Sequence, residues 1–146
     1  MKIYLGADHR GFELKNFLLN YLKENNYDAV DCGAVNFEQS DDYPDFAKNV
    51  GEKVAQDKEG VGVLICGSGA GITIAANKIN GIRCSLGLNE EQIKAGKKDD
   101  DINILGLASD YISKEEAKKI LDAFIKTNYD PSERHERRLQ KIKNLE

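Results

Sequence analysis

The chain has 146 residues, is 40% hydrophobic and carries a formal charge of -4. That is enough apolar material for one sizeable core, hence a single domain over 1–146, and the acidic balance speaks against a general nucleic-acid binder, whose contact face is basic. No apolar run nears the roughly 20 residues of a membrane span, and the opening MKIYLGADHRG lacks a signal peptide's apolar stretch, so a cytoplasmic protein is expected.

Residues 2–5 read as a strand ending at Gly6. Phe12, Leu14, Phe17, Leu18, Tyr21 and Leu22 then recur at helical spacing until ENNY stops them, and a second strand, 29–32, ends at Gly33. A helix starting near Pro44 presents Phe46, Ala47, Val50, Val54 and Ala55. The apolar run 61–65 is short, β-branched and uninterrupted, which suits a strand buried on both faces, with Cys66 at its carboxyl end. Gly67, Ser68, Gly69, Ala70 and Gly71 form a loop before a helix over 72–78. A fourth strand covers 82–86, and NEEQ at 89–92 opens a short helix. The fifth strand is 102–107, after which SKEE at 113–116 is a capping box for a helix with its apolar stripe over 117–125. Asp130 and Pro131 start a final charged helix.

Strands separated by helices predict right-handed crossovers, hence an α/β fold: a doubly wound parallel five-stranded sheet with helices on both faces, Rossmann-like, plus a C-terminal helix. Ligands of such sheets collect beyond the carboxyl ends of the strands, so Asp8, His9 and Cys66 are expected on one rim. A lone cysteine is more often core packing than chemistry. Cys66 differs in its predicted surroundings, because glycine amides and a helix N-terminus stabilise a thiolate, an anion or a developing oxyanion. Cys32 and Cys84 read as core, and three widely spaced cysteines suit neither a disulfide framework nor a zinc site. The glycine loop fits neither nucleotide motif, since Lys78 lies too far from Gly71 and the first strand is followed by GADHRG. A small phosphorylated or carbonyl ligand remains. Arg134 and Arg138, four apart, face one way, and paired guanidinium groups suit a phosphate monoester. A terminal helix can also carry them to a neighbouring subunit.

GADHRGFELK at 6–15, DCGA at 31–34, DDYPDFA at 41–47, ICGSGAGITIAANKINGIR at 65–83, NIL at 103–105 and RHERR at 134–138 together resemble the ribose-5-phosphate isomerase B and galactose-6-phosphate isomerase family across nearly the whole chain. The resemblance implies an aldose–ketose isomerase of a sugar phosphate, most simply ribose 5-phosphate and ribulose 5-phosphate, using no metal and no cofactor. It also implies a homodimer, or a dimer of dimers, with sites shared between subunits. By the same resemblance Cys66 is the base that moves a proton between C2 and C1 through a cis-enediolate. Ser68 and the amides of Gly67, Gly69, Ala70 and Gly71 stabilise that intermediate, and Asp8, His9 and Tyr43 bind substrate. Arg134 and Arg138 come from the partner chain to hold the phosphate. Asp99 and Asp100 stand where the family has a ring-opening His-Asn pair, and Asp110 stands where it has a phosphate-binding arginine. Ring opening then falls to Asp8, His9 or the acidic run, Asp99 foremost, or to solution. The pocket is altered accordingly, which leaves open another pentose or hexose phosphate of the allose or galactose 6-phosphate type, or a non-catalytic sugar-phosphate-binding dimer.

Overall fold

Period-two alternation in the strands decides which face each side chain buries. A computed structural model describes residues 1–146. Its strands β1 (Lys2–Ala7), β2 (Asp28–Asp31), β3 (Val61–Cys66), β4 (Cys84–Leu86) and β5 (Ile104–Ala108) form one parallel sheet in the order β2-β1-β3-β5-β4. Helices α1 (Phe12–Glu24), α4 (Glu90–Asp100) and α5 (Lys114–Lys126) bury Leu18, Leu22, Ile93, Leu121 and Phe124 against Ile3, Leu5, Val63, Ile65, Leu105 and Leu107. The other face takes α2 (Tyr43–Gln56) and α3 (Ala70–Ala76), where Val50, Val54, Ile72 and Ala76 meet Leu64, Cys66 and Ile104. Each such aliphatic side chain contributes roughly 1.5–3 kcal/mol on burial. Cys66 therefore points toward α2 and α3, two residues on from Leu64. The last helix, α6 (Glu133–Lys143), rests against α4.

The expected doubly wound parallel sheet is observed, with five strands and helices on both faces. Several boundaries differ for local reasons. The helix expected over 72–78 runs from Ala70 to Ala76, because Gly69 adopts a left-handed φ of 70° at its N-cap and turns the chain two residues earlier. The helix after Asn89 is not short but extends over Glu90–Asp100, and the strand after it begins only at Ile104. Only Ile93 of that helix is buried, so its sequence shows little apolar periodicity. The fourth strand contracts to Cys84–Leu86, and α6 begins at Glu133 rather than at Asp130. The capping box at Ser113 and Glu116 forms as expected.

One buried cation belongs to this frame. Lys15, on the inner side of α1, is fully buried and donates from Nζ to Asp31 Oδ1 (2.6 Å) and to the Ala34 carbonyl (2.7 Å). It ties α1 to the turn leaving β2, and so fixes where the segment through Asp41 begins.

Candidate active site at the carboxyl edge of the sheet

The sheet reverses its winding between β1 and β3, which lie side by side with Ala7 opposite Ile65. One chain leaves toward α1 and the other toward α3, opening a crevice at the switch point. A cleft of about 350 Å³ lies there, walled by Asp8, Arg10 and Tyr43 on one side and Cys66, Gly67, Ser68 and Gly71 on the other, with Asp110 and Tyr111 at its edge.

Cys66 is only 4% exposed yet forms part of the cleft wall, so its thiol sits between the α2–α3 core and the opening. The turn after β5 fixes its backbone: the Ser109 N–H and hydroxyl both donate to the Cys66 carbonyl (3.0 and 3.1 Å), and the Asp110 N–H donates to that of Gly67 (3.1 Å). The following loop is rich in free donors. The N–H groups of Gly67, Ser68, Gly69 and Gly71 donate to no acceptor of the chain, whereas that of Ala70 reaches the Ser68 hydroxyl (3.3 Å). Backbone donors left open at a cleft are suited to an anion or a developing oxyanion. The ring of Tyr43 lies directly over Gly71 and roofs this loop. The other two thiols do not compete: burial pushes Cys84 up to about 12, with a Thr73 hydroxyl bond opposing it, and burial also raises Cys32. Cys84 is core as expected, while Cys32 is only half-buried.

Asp8 occupies the end of β1. Its Oδ1 accepts from the N–H groups of Arg10 and Gly11, both at 3.0 Å. Burial raises its carboxyl above the ordinary 3.8, opposed by the Gly11 N–H and by His9. His9 shares the rim, and its ring packs beside Phe37 and Asp41. Its Nδ1 lies 2.7 Å from Asp41 Oδ1, and since a carboxylate can only accept, that nitrogen donates and Nε2 is left without a partner in the chain. The same Asp41 oxygen also takes the His9 N–H (2.9 Å).

The remaining expected residues lie elsewhere. Asp99 and Asp100 form the last turn of α4, which runs back to the amino edge of the sheet, so they enter β5 at the end opposite Ala108 and Cys66. Five residues of strand put roughly 13 Å between those edges. The run KKDDD is thus a helix end rather than a loop. Carboxylates there oppose the helix dipole, while Arg83 donates to the Asp100 and Asp101 carbonyls and pairs with Asp101 Oδ2 (2.7 Å). Arg134 and Arg138 are exposed on α6, which packs on the same α4, and neither has an acidic partner within the chain. Between them His135 is fully buried, with Nδ1 2.9 Å from the Asp130 carbonyl and Nε2 3.5 Å from Asp99 Oδ1. One chain therefore brings Asp8, His9, Tyr43, Cys66, Gly67, Ser68, Gly69, Ala70 and Gly71 to one edge, and Asp99, Asp100, Arg134 and Arg138 to the other.

Sequence reasoning passed over Arg10, Asp41, Ser109 and Tyr111. Arg10 carried a signal, since it lies inside GADHRG immediately after a predicted strand end. Asp41 and Ser109 act through partners 32 to 99 residues away and carried none. Nowhere do three or more His, Cys, Asp or Glu side chains converge as a metal site requires, and no helix is long and apolar enough to cross a membrane.

The fold and the cleft define a doubly wound α/β protein with a thiol and open backbone donors at its topological switch point. Comparison makes this particular: the chain belongs to the ribose/galactose isomerase family, whose model matches residues 3–142. Ribose-5-phosphate isomerase B of Mycobacterium leprae is 34% identical over 146 residues, covering 100% of this chain and 90% of the relative. The crystal structure of ribose-5-phosphate isomerase B from Mycoplasma genitalium, with bound ribulose 5-phosphate, matches with a TM-score of 0.94 and 37% identity, over 99% of this chain and 95% of that one. The Thermotoga maritima ribose 5-phosphate isomerase matches at 0.93 with 39% identity, over 98% and 97%.

Proposed function

We propose that the protein interconverts ribose 5-phosphate and ribulose 5-phosphate, with Cys66 as the base. The thiolate takes the proton from C2 of the open-chain aldose, the freed pair forms the C1–C2 double bond and the C1 carbonyl pair moves onto O1 to give a cis-enediolate. The O2 proton then passes to O1, and the thiol, whose hydrogen exchanges with solvent, returns a hydrogen to C1 as the C2 carbonyl forms. The open N–H groups of Gly67, Ser68, Gly69 and Gly71 are suited to hold the enediolate oxygen, a preorganised-donor effect commonly worth a few kcal/mol. Ser68 contributes its hydroxyl, Asp8 and the free Nε2 of His9 accept from sugar hydroxyls, and Tyr43 closes the roof. The observation that carries this reading is a sulfur in a cleft wall followed at once by four backbone donors with no partner. The relative with ribulose 5-phosphate bound shares this fold almost throughout.

The second edge enters through a second copy. In a homodimer, or a dimer of dimers, Asp99, Asp100, Arg134 and Arg138 of one chain face the cleft of the other, which supplies phosphate-binding guanidinium groups and a carboxylate at the ring oxygen. The lack of any acidic partner for Arg134 and Arg138 supports this arrangement.

The test is isomerisation of ribose 5-phosphate in deuterated water with EDTA present, by the wild type and by Cys66→Ala and Cys66→Ser. Solvent deuterium is expected in the wild-type product and turnover is expected to vanish in both variants. Wild-type rates in either variant remove Cys66 from the mechanism. Parallel assays with allose 6-phosphate and galactose 6-phosphate decide whether the Asp110 carboxylate at the cleft edge has shifted the preferred sugar.

A further inference from the structure

We infer that Arg10 is a substrate-binding, specificity-determining residue of this cleft, presented by Asp110 to the phosphate of the incoming sugar. The inference rests on the sugar-phosphate reading above and deepens it. Three charged side chains line the cleft, Asp8, Asp110 and Arg10, and only the last is a cation. Within one chain, a phosphate monoester entering a space walled by two carboxylates meets Arg10 as the cation that offsets their repulsion, beside whatever a second copy supplies.

The arginine is placed for this along its whole length. Its N–H donates to Asp8 Oδ1 (3.0 Å), and its carbonyl accepts from the Ser109 hydroxyl (3.0 Å), the same hydroxyl that reaches the Cys66 carbonyl. The stem crosses above Gly67, where a Cβ would stand 2.5 Å from Arg10 Nε and 2.9 Å from Cδ, so the glycine leaves the space that the side chain occupies. At the tip, Nη2 donates to Asp110 Oδ2. Asp110 is itself anchored to the Gly67 carbonyl through its N–H (3.1 Å). A guanidinium group has five N–H donors in a planar fork, so one bond to Asp110 leaves others for a phosphate. Arg10 is 59% exposed, and the core is complete without it. Asp110 is the positioning residue that keeps the fork over the loop carrying the open amides.

The experiment measures KM and kcat for ribose 5-phosphate, and inhibition by inorganic phosphate, in the wild type, Arg10→Ala, Arg10→Lys and the double variant Arg10→Ala/Asp110→Arg. Arg10→Ala is expected to raise KM and the phosphate inhibition constant together by roughly 10- to 100-fold, the usual weight of charge-assisted hydrogen bonds, with kcat within about threefold. Arg10→Lys recovers part of the loss, and the double variant recovers most of it by supplying a cation from the other side of Gly67. KM and inhibition constant within twofold of the wild type in Arg10→Ala, or a fall in kcat alone, overturn the inference. If the wild type isomerises no sugar phosphate, the isomerase reading fails separately, and calorimetric titration with inorganic phosphate decides the role of Arg10. Binding lost in Arg10→Ala upholds the anion site, and binding retained refutes it.

Discussion

Replacing Gly69 with alanine adds one methyl group where the loop turns into α3. Two costs are expected, and the structure separates them. Gly69 has φ of 70°, where a side chain costs roughly 1–2 kcal/mol. A Cβ there would also stand 2.4 Å from Leu86 Cδ1 and 3.0 Å from the Leu107 carbonyl carbon. The leucine methyl can swing, but the backbone of β5 cannot, and overpacking of this kind typically adds about 1–3 kcal/mol. Gly81 is the control, with φ of 81° and nothing within 4 Å of the added Cβ, so Gly81→Ala carries the conformational cost alone. Gly69→Ala is thus expected to lose about 2–5 kcal/mol and Gly81→Ala about 1–2 kcal/mol. In urea unfolding, with a slope of about 1–3 kcal/mol per M, the Gly69→Ala midpoint falls by roughly 1–2 M, clearly further than that of Gly81→Ala. The same displacement lifts the open N–H groups away from the thiol, so kcat of Gly69→Ala falls at least about tenfold while Gly81→Ala keeps its rate. Equal midpoints for the two variants, together with normal turnover by Gly69→Ala, would refute the packing account and the link between this turn and catalysis.

Lys15→Met keeps the buried stem but leaves the Ala34 carbonyl bare and Asp31 Oδ1 with only the Gly33 N–H, so urea unfolding should show a loss of about 2–4 kcal/mol. A loss under about 0.5 kcal/mol contradicts the role given to that ion pair. For Asp8, burial raises the folded-state pKa above the usual 3.8, so the folded chain holds the proton more tightly than the unfolded one. Stability therefore falls as pH climbs from the unfolded value through the raised one. Asp8→Asn removes that dependence, and its melting temperature relative to wild type should rise across this window and then level off; a gap that is flat or narrows with pH is the contrary result. Mixing Cys66→Ala with Arg138→Ala chains should restore activity through hybrid pairs that carry one intact site, and size-matched mixtures with no recovery would speak against sharing between copies.

The frame of the molecule was legible because its signals are local. The run 61–65 between turn residues identifies a doubly buried strand, SKEE identifies a helix start, and the alternation of such elements leaves few topologies. The length of α4 was not legible, since Ile93 is its only buried residue and Lys97, Lys98, Asp99 and Asp100 resemble a solvated loop. Of the cleft, Cys66 and the glycines could be placed because a strand end in a parallel sheet has a known address. Arg10 and Asp110, by contrast, are 100 residues apart and meet only because β5 lies beside β3. The position of Asp99 was available in principle, because a helix that returns to start a parallel strand must finish at the amino edge.

The sheet separates each chain's sulfur from its own terminal arginines by the length of its strands. If sites are shared between copies as proposed above, the working unit exceeds the gene product. Specific activity should then decline when the protein is diluted to the point where pairs come apart, long before any chain unfolds, and shelf life in dilute stocks is governed by dissociation rather than by melting.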